Sequence, residues 1–274
     1  MKKVGIVSNN KYQNKIIEDM NLKLALEEEG IIAEIISWEN PNNEYDKYNC
    51  LVIRSIWGYH NDYSKFKKWL QLMKENNIAI YNSIDMIKQN IVKDKQFEIL
   101  DKNGIAHIET IFQKGFIDPS KIGENLIIKP IISGSGNNTY KSNQYDLLNL
   151  ETIVNEEDNG IMIQPYDKSI ENGEFSIVFI DKENTHNMIR YPGIFYKKQK
   201  PYELKSVPDN ILKLAKKVMS IPDYNDALYM RVDIVDEKEP KVMEVELTEP
   251  DLLTRYISSN EPIRKLSKGI KRRI

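Results

Sequence analysis

The stretch that decides the fold is residues 227–250, which read ALYMRVDIVD, then EKEP, then KVMEVELTEP. Two runs rich in β-forming residues flank a polar turn, a pattern that predicts an antiparallel hairpin. Because residues two apart on a strand share a face, one face is apolar and the other carries Arg231, Asp233, Glu244 and Glu246. Clustered carboxylates repel one another unless a cation lies among them, and hard oxygen ligands suit Mg²⁺. The hairpin therefore predicts a magnesium site, with an ordinary solvent-facing acidic surface as the alternative.

Length and composition exclude several classes of protein. A chain of 274 residues can bury a large core divided into two or three lobes. Its net charge of −2 gives no basic field for a nucleic-acid backbone, so we expect no nucleic-acid partner. The chain has no apolar run long enough for a membrane span, and its start turns polar too early for a signal peptide. A single cysteine, Cys50, cannot form an internal disulfide, so we expect a cytoplasmic protein. The lack of a long apolar run means that we expect no membrane partner.

The first 85 residues alternate between strands and helices. Strands are predicted at residues 3–8, 31–38, 49–56 and 78–81, with helices at 16–29 and 63–76. This alternation predicts βαβ units and a parallel sheet, in which ligands gather at the carboxyl ends of the strands. Arg54 lies at such an end, where a guanidinium suits a substrate carboxylate. A surface salt bridge is the alternative for Arg54.

The pattern becomes strand-rich after the first domain. Two short helices are predicted within residues 83–104, and further helices at 145–156, at 210–219 and after Ser259. Strands are predicted at 107–113, 126–130, 139–141, 160–166, 173–180 and 185–190, before the hairpin. We therefore expect three lobes, at residues 1–85, 86–165 and 166–274.

Lys129 interrupts an otherwise apolar strand just before a loop with two glycines, Gly134 and Gly136. A lysine in such a strand is costly unless an anion meets it. The glycines let backbone amides approach phosphate oxygens closely, although the loop is not a Walker A sequence. Together with the later carboxylates, the lysine and the loop predict a nucleoside triphosphate as the ligand.

These motifs, in their order and spacing over about residues 85–255, resemble the ATP-grasp superfamily. They are an early lysine in residues 90–100, Ile-Lys-Pro with its glycine loop, Gln-Pro-Tyr, Gly-Glu-Phe-Ser, and Arg-Val-Asp followed by Glu-x-Glu. Residues 52–60 and 243–252 resemble more closely the glutathione-synthetase-like group that contains the D-cycloserine-forming (O-ureidoserine) cyclo-ligase. The resemblance implies an α/β protein with α+β lobes, in which a Rossmann-like parallel-sheet domain precedes the ATP-grasp fold.

The resemblance also implies roles for individual residues. The nucleotide-binding positions are Lys95 (with Lys93 as the neighbouring candidate), Lys129, Ser133, Gly134, Ser135, Gly136, Gln164, Pro165, Tyr166 and Glu174. The magnesium ligands are Asp233, Glu244 and Glu246, and the catalytic residues are Arg231, Lys129, Arg54, Arg190 and His186. For His186 a purely structural role is the alternative. The implied cofactors are ATP and a pair of Mg²⁺ ions, for which Mn²⁺ can substitute.

The implied activity is an ATP- and Mg²⁺-dependent ligase that activates a small, amino-acid-like carboxylate as an acyl phosphate for attack by an amine. Two departures from the group concern the acceptor end. Residues 193–202 lack the group's arginine and paired glycines, although Lys197 or Lys198 could supply a point charge, and Gly58 replaces an aspartate. A small-molecule kinase on the same fold and a nucleotide-binding protein without turnover are the alternatives. The expected partners are the small carboxylate and amine, and a homodimer is left open.

Overall fold

The computed structural model describes residues 1–115, 125–134, 138–144, 159–191, 200–236 and 239–274. Several predictions lie outside these residues: the helix at 145–156, the loop positions Ser135 and Gly136, and the lysines Lys197 and Lys198. Within the described residues, no helix is long and apolar enough to cross a membrane.

The first part of the chain forms a parallel sheet, as predicted. Its strands are β1 (Lys3–Ser8), β2 (Ile32–Ser37), β3 (Cys50–Ile53) and β4 (Ile80–Tyr81), in the order β2-β1-β3-β4. All neighbouring pairs run parallel. β3 is buried along its whole length, which explains its uninterrupted apolar sequence Cys-Leu-Val-Ile.

Two helices accompany this sheet, α1 (Ile17–Glu28) and α2 (Tyr63–Glu75). The side chain of Asp62 caps α2 by accepting a hydrogen bond from the Lys65 amide at 3.1 Å. The buried residues of α2 recur at helical spacing and pack into the same apolar cluster as Trp38 and Ile53. The helix therefore forms where capping chemistry and apolar periodicity agree.

The middle of the chain contributes helices α3 (Ile84–Ile91) and α4 (Lys93–Lys102) and a second sheet. Its strands are β5 (Ile111–Gln113), β6 (Leu126–Pro130), β7 (Tyr140–Lys141) and β8 (Ile161–Pro165), in the antiparallel order β5-β8-β6-β7. The strand predicted at 107–113 is shorter than expected. His107 instead forms a bridge with Val242 of the third sheet and so ties the two sheets together.

The third sheet is antiparallel and carries the predicted hairpin. Its strands are β9 (Glu174–Ile180), β10 (Glu183–Arg190), β11 (Tyr202–Glu203), β12 (Tyr229–Val235) and β13 (Lys241–Glu246), in the order β11-β10-β9-β12-β13. The register pairs Arg231 with Glu246 and Asp233 with Glu244. Helix α5 (Asp209–Met219) packs on the apolar face of the hairpin. The two strands and their apolar face are confirmed.

The last helix, α6 (Glu261–Arg273), joins the two ends of the chain. Its Leu266 and Ile270 pack in one apolar cluster with Val4 of β1 and Val178 of β9. Asn82, which is fully buried, accepts a hydrogen bond from the Leu228 amide and donates to the carbonyls of Tyr229 and Leu247. The parallel sheet is therefore fixed against the third sheet, and the segment after β13 runs along their junction.

Candidate active site

A cavity of about 700 Å³ lies between the second and third sheets and is bordered by the parallel-sheet part of the chain. Most of the predicted site residues in the described part of the chain line it. These are Lys129, Ser133, Gly134, Gln164, Pro165, Tyr166, Glu174, Arg190, Arg231, Glu244 and Glu246. The cavity therefore brings together residues from chain segments more than 100 positions apart.

Two lysines reach the cavity, the buried Lys93 at the start of α4 and the half-buried Lys129 on β6. The side chain of Lys93 forms an ion pair with Glu244. Burial alone would lower the pKa of Lys93, but the charges of Glu244 and Glu246 outweigh it and raise that pKa. The pKa of Lys129 is lowered, chiefly by burial. The cavity thus holds two cationic groups suited to phosphate oxygens.

Lys95, the predicted first nucleotide lysine, is not on the cavity wall. Its side chain is 54% exposed and pairs with Glu98 at 2.9 Å on the surface of α4. Residues two apart on a helix point in nearly opposite directions, so Lys93 and Lys95 cannot both face the cavity. The structure corrects this prediction in favour of the neighbouring candidate, Lys93.

The acids Glu244 and Glu246 project from β13 toward the cavity. Desolvation in the cavity raises the pKa of Glu246 to about 7, and the nearby charge of Glu244 adds to the effect. Desolvation also acts on Glu244, but the charge of Lys93 outweighs it and lowers the pKa of Glu244. One carboxylate is therefore already neutralised by a lysine, while the other is poised to gain a proton or a cation.

Asp233, the third predicted magnesium ligand, lies behind the cavity wall and is only 1% exposed. Its carboxylate accepts hydrogen bonds from Ser176 at 2.7 Å, Arg190 at 2.7 Å and Arg231 at 2.9 Å. Burial would raise the pKa of Asp233, but the two arginines outweigh it and lower that pKa. Ser176 and the two arginines hold its oxygen atoms in this arrangement, and the role of Asp233 as a magnesium ligand stays a prediction.

The remaining carboxylates are suitable Mg²⁺ ligands, but they are too few to form a metal site without other ligands. Within the described ranges, no three His, Cys, Asp or Glu side chains are close enough to hold a metal ion. Glu244 and Glu246 present hard oxygen donors on the wall, and Mg²⁺ commonly takes only one or two carboxylates beside substrate phosphates and water. These two residues could hold the ion once phosphate oxygens complete its coordination.

Arg190 and Glu174 form one ion-paired unit at the wall. Arg190 donates to the carboxylates of Glu174 and Asp233 and to the hydroxyl of Ser176. Burial is the largest influence on Glu174 and raises its pKa. The unit leaves Glu174 at the cavity surface, as its predicted contact with ribose hydroxyls requires.

Part of the cavity lining is apolar, namely Phe97, Ile108, Ile127, Met162, Ile170, Met243 and Leu253. The predicted hinge, Gln164, Pro165 and Tyr166, also lines the cavity, and Tyr166 packs in one apolar cluster with Ile108, Ile170 and Met243. The Gln164 side chain donates to the Thr110 hydroxyl at 2.9 Å and is therefore fixed in place. An apolar slot with a few fixed polar groups is typical of a site for a planar base.

Two predicted catalytic residues, Arg54 and His186, lie outside the cavity wall. Both donate to backbone carbonyls of residues 248–252, a segment that we term the carbonyl strip. Arg54 is 5% exposed and donates to the Pro250 carbonyl at 3.1 Å, while its guanidinium lies 5.1 Å from the centre of the Tyr229 ring. His186 donates from Nε2 to the Leu252 carbonyl at 2.6 Å. Both side chains therefore support the backbone, while Arg54 Nη1 has no hydrogen-bond partner among the described residues. That Arg54 and His186 contact a substrate stays a prediction.

The cavity also contains Trp57, which follows the predicted strand end that carries Arg54, and three side chains that the sequence did not single out as site residues: Glu249, Asp251 and Arg255. Asp251 and Arg255 form an ion pair one helical turn apart in sequence, with 2.7 Å between them. The spacing of these two charges could have indicated that pair. Nothing local marks Glu249, because its inward direction depends on contacts made by residues far away in the chain.

Comparison with known proteins agrees with this architecture. Residues 4–82 match the family model described as the N-terminal domain of D-cycloserine synthetase DcsG. No curated protein sequence matches the chain.

Three solved structures illustrate the similarity of fold. D-cycloserine synthetase DcsG has a TM-score of 0.84 at 17% identity, with 99% of each chain covered. D-alanine–D-alanine ligase from Bacillus anthracis complexed with ATP has a TM-score of 0.69 at 18% identity, covering 99% of this chain and 97% of that one. ATP-grasp ligase PsnB, complexed with a phosphomimetic variant of its minimal precursor, Mg and ADP, has a TM-score of 0.64 at 12% identity, covering 99% and 98%. The chain has the fold of these ATP-grasp proteins, and the predicted fold class is confirmed.

Proposed function

We propose that this protein is an ATP- and Mg²⁺-dependent ligase that activates a small carboxylate as an acyl phosphate for attack by an amine. The observation that carries this proposal is the composition of the cavity. The buried Lys93 and the half-buried Lys129 line the cavity together with Glu244 and Glu246, and the lining also includes apolar side chains. The similarity of fold to structures complexed with ATP, or with Mg and ADP, supports the same activity.

The nucleotide would bind in one orientation. The base would contact the apolar side chains beside the hinge, with Glu174 next to the ribose. The phosphates would lie between Lys129 and Lys93, beside Gly134. Cationic side chains placed around a transferring phosphoryl group stabilise the charge on its oxygens, which is the main task of the protein in this chemistry.

Lys93 and Glu244 form an ion pair, and both residues would change partners when the nucleotide and the metal bind. Phosphate oxygens entering the cavity would compete with Glu244 for the Lys93 ammonium. The released Glu244 carboxylate would then be free to bind, together with Glu246, a magnesium ion. When bound, Mg²⁺ would neutralise charge on the phosphate oxygens. The empty and loaded sites would both keep their buried charges paired.

Arg231 would face the transferring group from the hairpin. Its Nε donates to Asp233 at 3.0 Å, and its Nη1 donates to the Asp251 carbonyl at 3.0 Å. These contacts fix the guanidinium while it remains on the cavity wall. A preorganised cation of this kind stabilises developing charge without reorganising during the reaction.

The experiment that tests the proposal is ADP release with candidate amino acids, measured with and without hydroxylamine. Hydroxylamine intercepts an acyl phosphate as a hydroxamate, so a hydroxamate product would support the ligase. ADP release with a phosphorylated alcohol and no hydroxamate would instead favour a kinase. ATP binding without any ADP release would favour a protein that binds nucleotide without turnover.

A further inference from the structure

Four successive carbonyls of the carbonyl strip, those of residues 249–252, each accept a hydrogen bond from a different side chain. The donors, in that order, are Trp57 (3.1 Å), Arg54 (3.1 Å), Arg231 (3.0 Å) and His186 (2.6 Å). The Tyr229 hydroxyl lies 3.3 Å from the Thr248 carbonyl but has its shortest contact, 2.6 Å, with the Ile53 carbonyl. The strip belongs to no strand, so these side chains replace the sheet bonds that a backbone otherwise needs. A backbone held at four successive positions fixes the direction of its own side chains.

Glu249 is the strip residue whose side chain is left without a partner. It lines the cavity, is 7% exposed, and its Oε2 has no hydrogen-bond partner within the described part of the chain. A buried ionised carboxylate is costly unless a cation or hydrogen-bond donors compensate it. Desolvation accordingly raises the pKa of Glu249 well above its usual range. The cavity therefore presents a fixed carboxyl group, which a cationic ligand would hold in its ionised form.

Other carboxylates around the cavity already have cations. Glu174 pairs with Arg190, Glu244 pairs with Lys93, and Asp251 pairs with Arg255. A ligand cation at any of these positions would first have to displace a protein cation. Glu246 also lacks an ion pair among the described residues, but it is the carboxylate assigned to Mg²⁺. Of the carboxylates not assigned to the metal, Glu249 is therefore the one that can bind a cationic ligand without displacing a protein cation.

The surroundings of Glu249 suit an organic cation. Trp57 lines the same cavity, and its indole Nε1 donates to the Glu249 carbonyl. A cavity lined by both an indole ring and a carboxylate suits an ammonium group, whereas Mg²⁺ requires several oxygen ligands. A Cβ placed on Gly134 would lie 3.9 Å from Glu249 Oε1, so the carboxylate borders the loop assigned to the phosphates.

We propose that Glu249 is a specificity-determining residue that binds a cationic nitrogen of the substrate. The substrate class is therefore a small molecule that carries an ammonium group near the carboxylate or amine that reacts. This inference rests on the proposed function, because it assigns one substrate group within the same cavity. It predicts that acylating the nitrogen of a ligand, which removes the charge, abolishes recognition by Glu249.

The test is calorimetric titration of the protein with D- and L-amino acids and with their N-acetyl derivatives. A fluorescent ATP analogue with Mg²⁺ is titrated in parallel. Glu249→Gln removes the charge and keeps the size, Glu249→Asp keeps the charge, and Glu203→Gln is the control at an exposed position on β11. We expect an amino acid to bind the wild-type protein and Glu203→Gln about 100-fold more tightly than Glu249→Gln, with partial recovery in Glu249→Asp. The N-acetyl derivative should bind all variants equally weakly.

Several results would overturn the proposal. Equal amino-acid affinity in wild type and Glu249→Gln would show that the charge is not used. Loss of Mg²⁺-dependent binding of the ATP analogue in Glu249→Gln would make Glu249 a metal ligand instead. If wild type binds the ATP analogue but no amino acid, the ammonium site is wrong and the nucleotide function stands. If it binds an amino acid through Glu249 but no nucleotide, the proposed function is wrong and the ammonium site stands.

Discussion

The hairpin β12–β13 and the carbonyl strip follow one another in the chain, yet they meet the cavity in different ways. In the hairpin, backbone groups pair with each other, so Glu244 and Glu246 are free to point toward a ligand. In the strip, the backbone carbonyls have no strand partners and bind side chains from three other segments. The comparison shows that a charged side chain near a site is free to bind a ligand where the neighbouring backbone carbonyls are paired within a sheet. Where those carbonyls have no strand partner, the charged side chain binds them instead.

The largest expected effect is a difference in the rate of ADP release between substitutions at Lys93 and Lys95, two lysines on one helix. Lys93→Ala removes a buried cation from the phosphate end of the cavity and should lower the rate of ADP release by about 10²–10³-fold. Lys95→Ala is the matched control, since its side chain pairs with Glu98 outside the cavity, and it should change the rate by less than about twofold. Losses of similar size in both variants would contradict the placement of the phosphates beside Lys93.

A second effect concerns stability as well as activity. Glu244→Gln leaves the buried ammonium of Lys93 without its ion-pair partner, which should lower the free energy of unfolding by about 3 kcal/mol. Urea unfolding without metal measures this loss. The double variant Lys93→Met/Glu244→Gln should recover much of it, because no buried charge is then left unpaired. A Glu244→Gln protein as stable as wild type would mean that the ion pair contributes little.

The same comparison explains which parts of the fold could be predicted. The parallel sheet and the hairpin follow from local patterns, namely apolar runs alternating with helical periodicity and two β-rich runs around a polar turn. β11 consists only of Tyr202 and Glu203, too few residues to show a period. His107 reads as part of a strand, but it bridges to Val242, a partner that no local pattern identifies.

For the site, residue types could be predicted more readily than their directions. The hairpin spacing correctly placed Glu244 and Glu246 on the cavity side. Asp233 shares that face, but Arg190 arrives from β10 and, with Arg231, occupies its oxygens. Arg54 stands at the expected strand end, yet the unpaired carbonyl of Pro250 takes its hydrogen bond. Both outcomes depend on contacts between distant segments, which sequence spacing does not contain.

A third prediction concerns Asp19, a buried acid on α1 whose carboxylate accepts a hydrogen bond from Ser55, next to Arg54 in the chain. Burial raises the pKa of Asp19 from 3.8 to about 6, against the opposing charge of Arg54 and a hydrogen bond from Ser55. Because the folded-state pKa lies above the unfolded value, this group stabilises the protein fully below about pH 4, and that stability is lost as pH rises through about 6. Relative to Asp19→Asn, wild type should lose about 2–3 kcal/mol of unfolding free energy between pH 4 and 7. Parallel urea titrations across this range measure the difference, and a constant gap between the two proteins would contradict the raised pKa.

The smallest effect should come from Arg54→Lys, which tests the division between side chains that serve the ligand and those that serve the backbone. Lysine keeps the charge but loses the planar group that lies over the Tyr229 ring and donates to the Pro250 carbonyl. The expected cost is about 1–2 kcal/mol of unfolding free energy, the range for one hydrogen bond with a charged donor. Because Arg54 lies behind the cavity wall, affinity for a fluorescent ATP analogue should not change. Acceptor binding should weaken only to the extent that a less ordered carbonyl strip lets the Glu249 side chain move.

Thermal unfolding and acceptor titration on the same samples separate the two roles of Arg54, support of the backbone and contact with the substrate. A large loss of acceptor affinity with unchanged stability would show that Arg54 reaches the substrate directly, and the comparison between hairpin and strip would then fail at this residue.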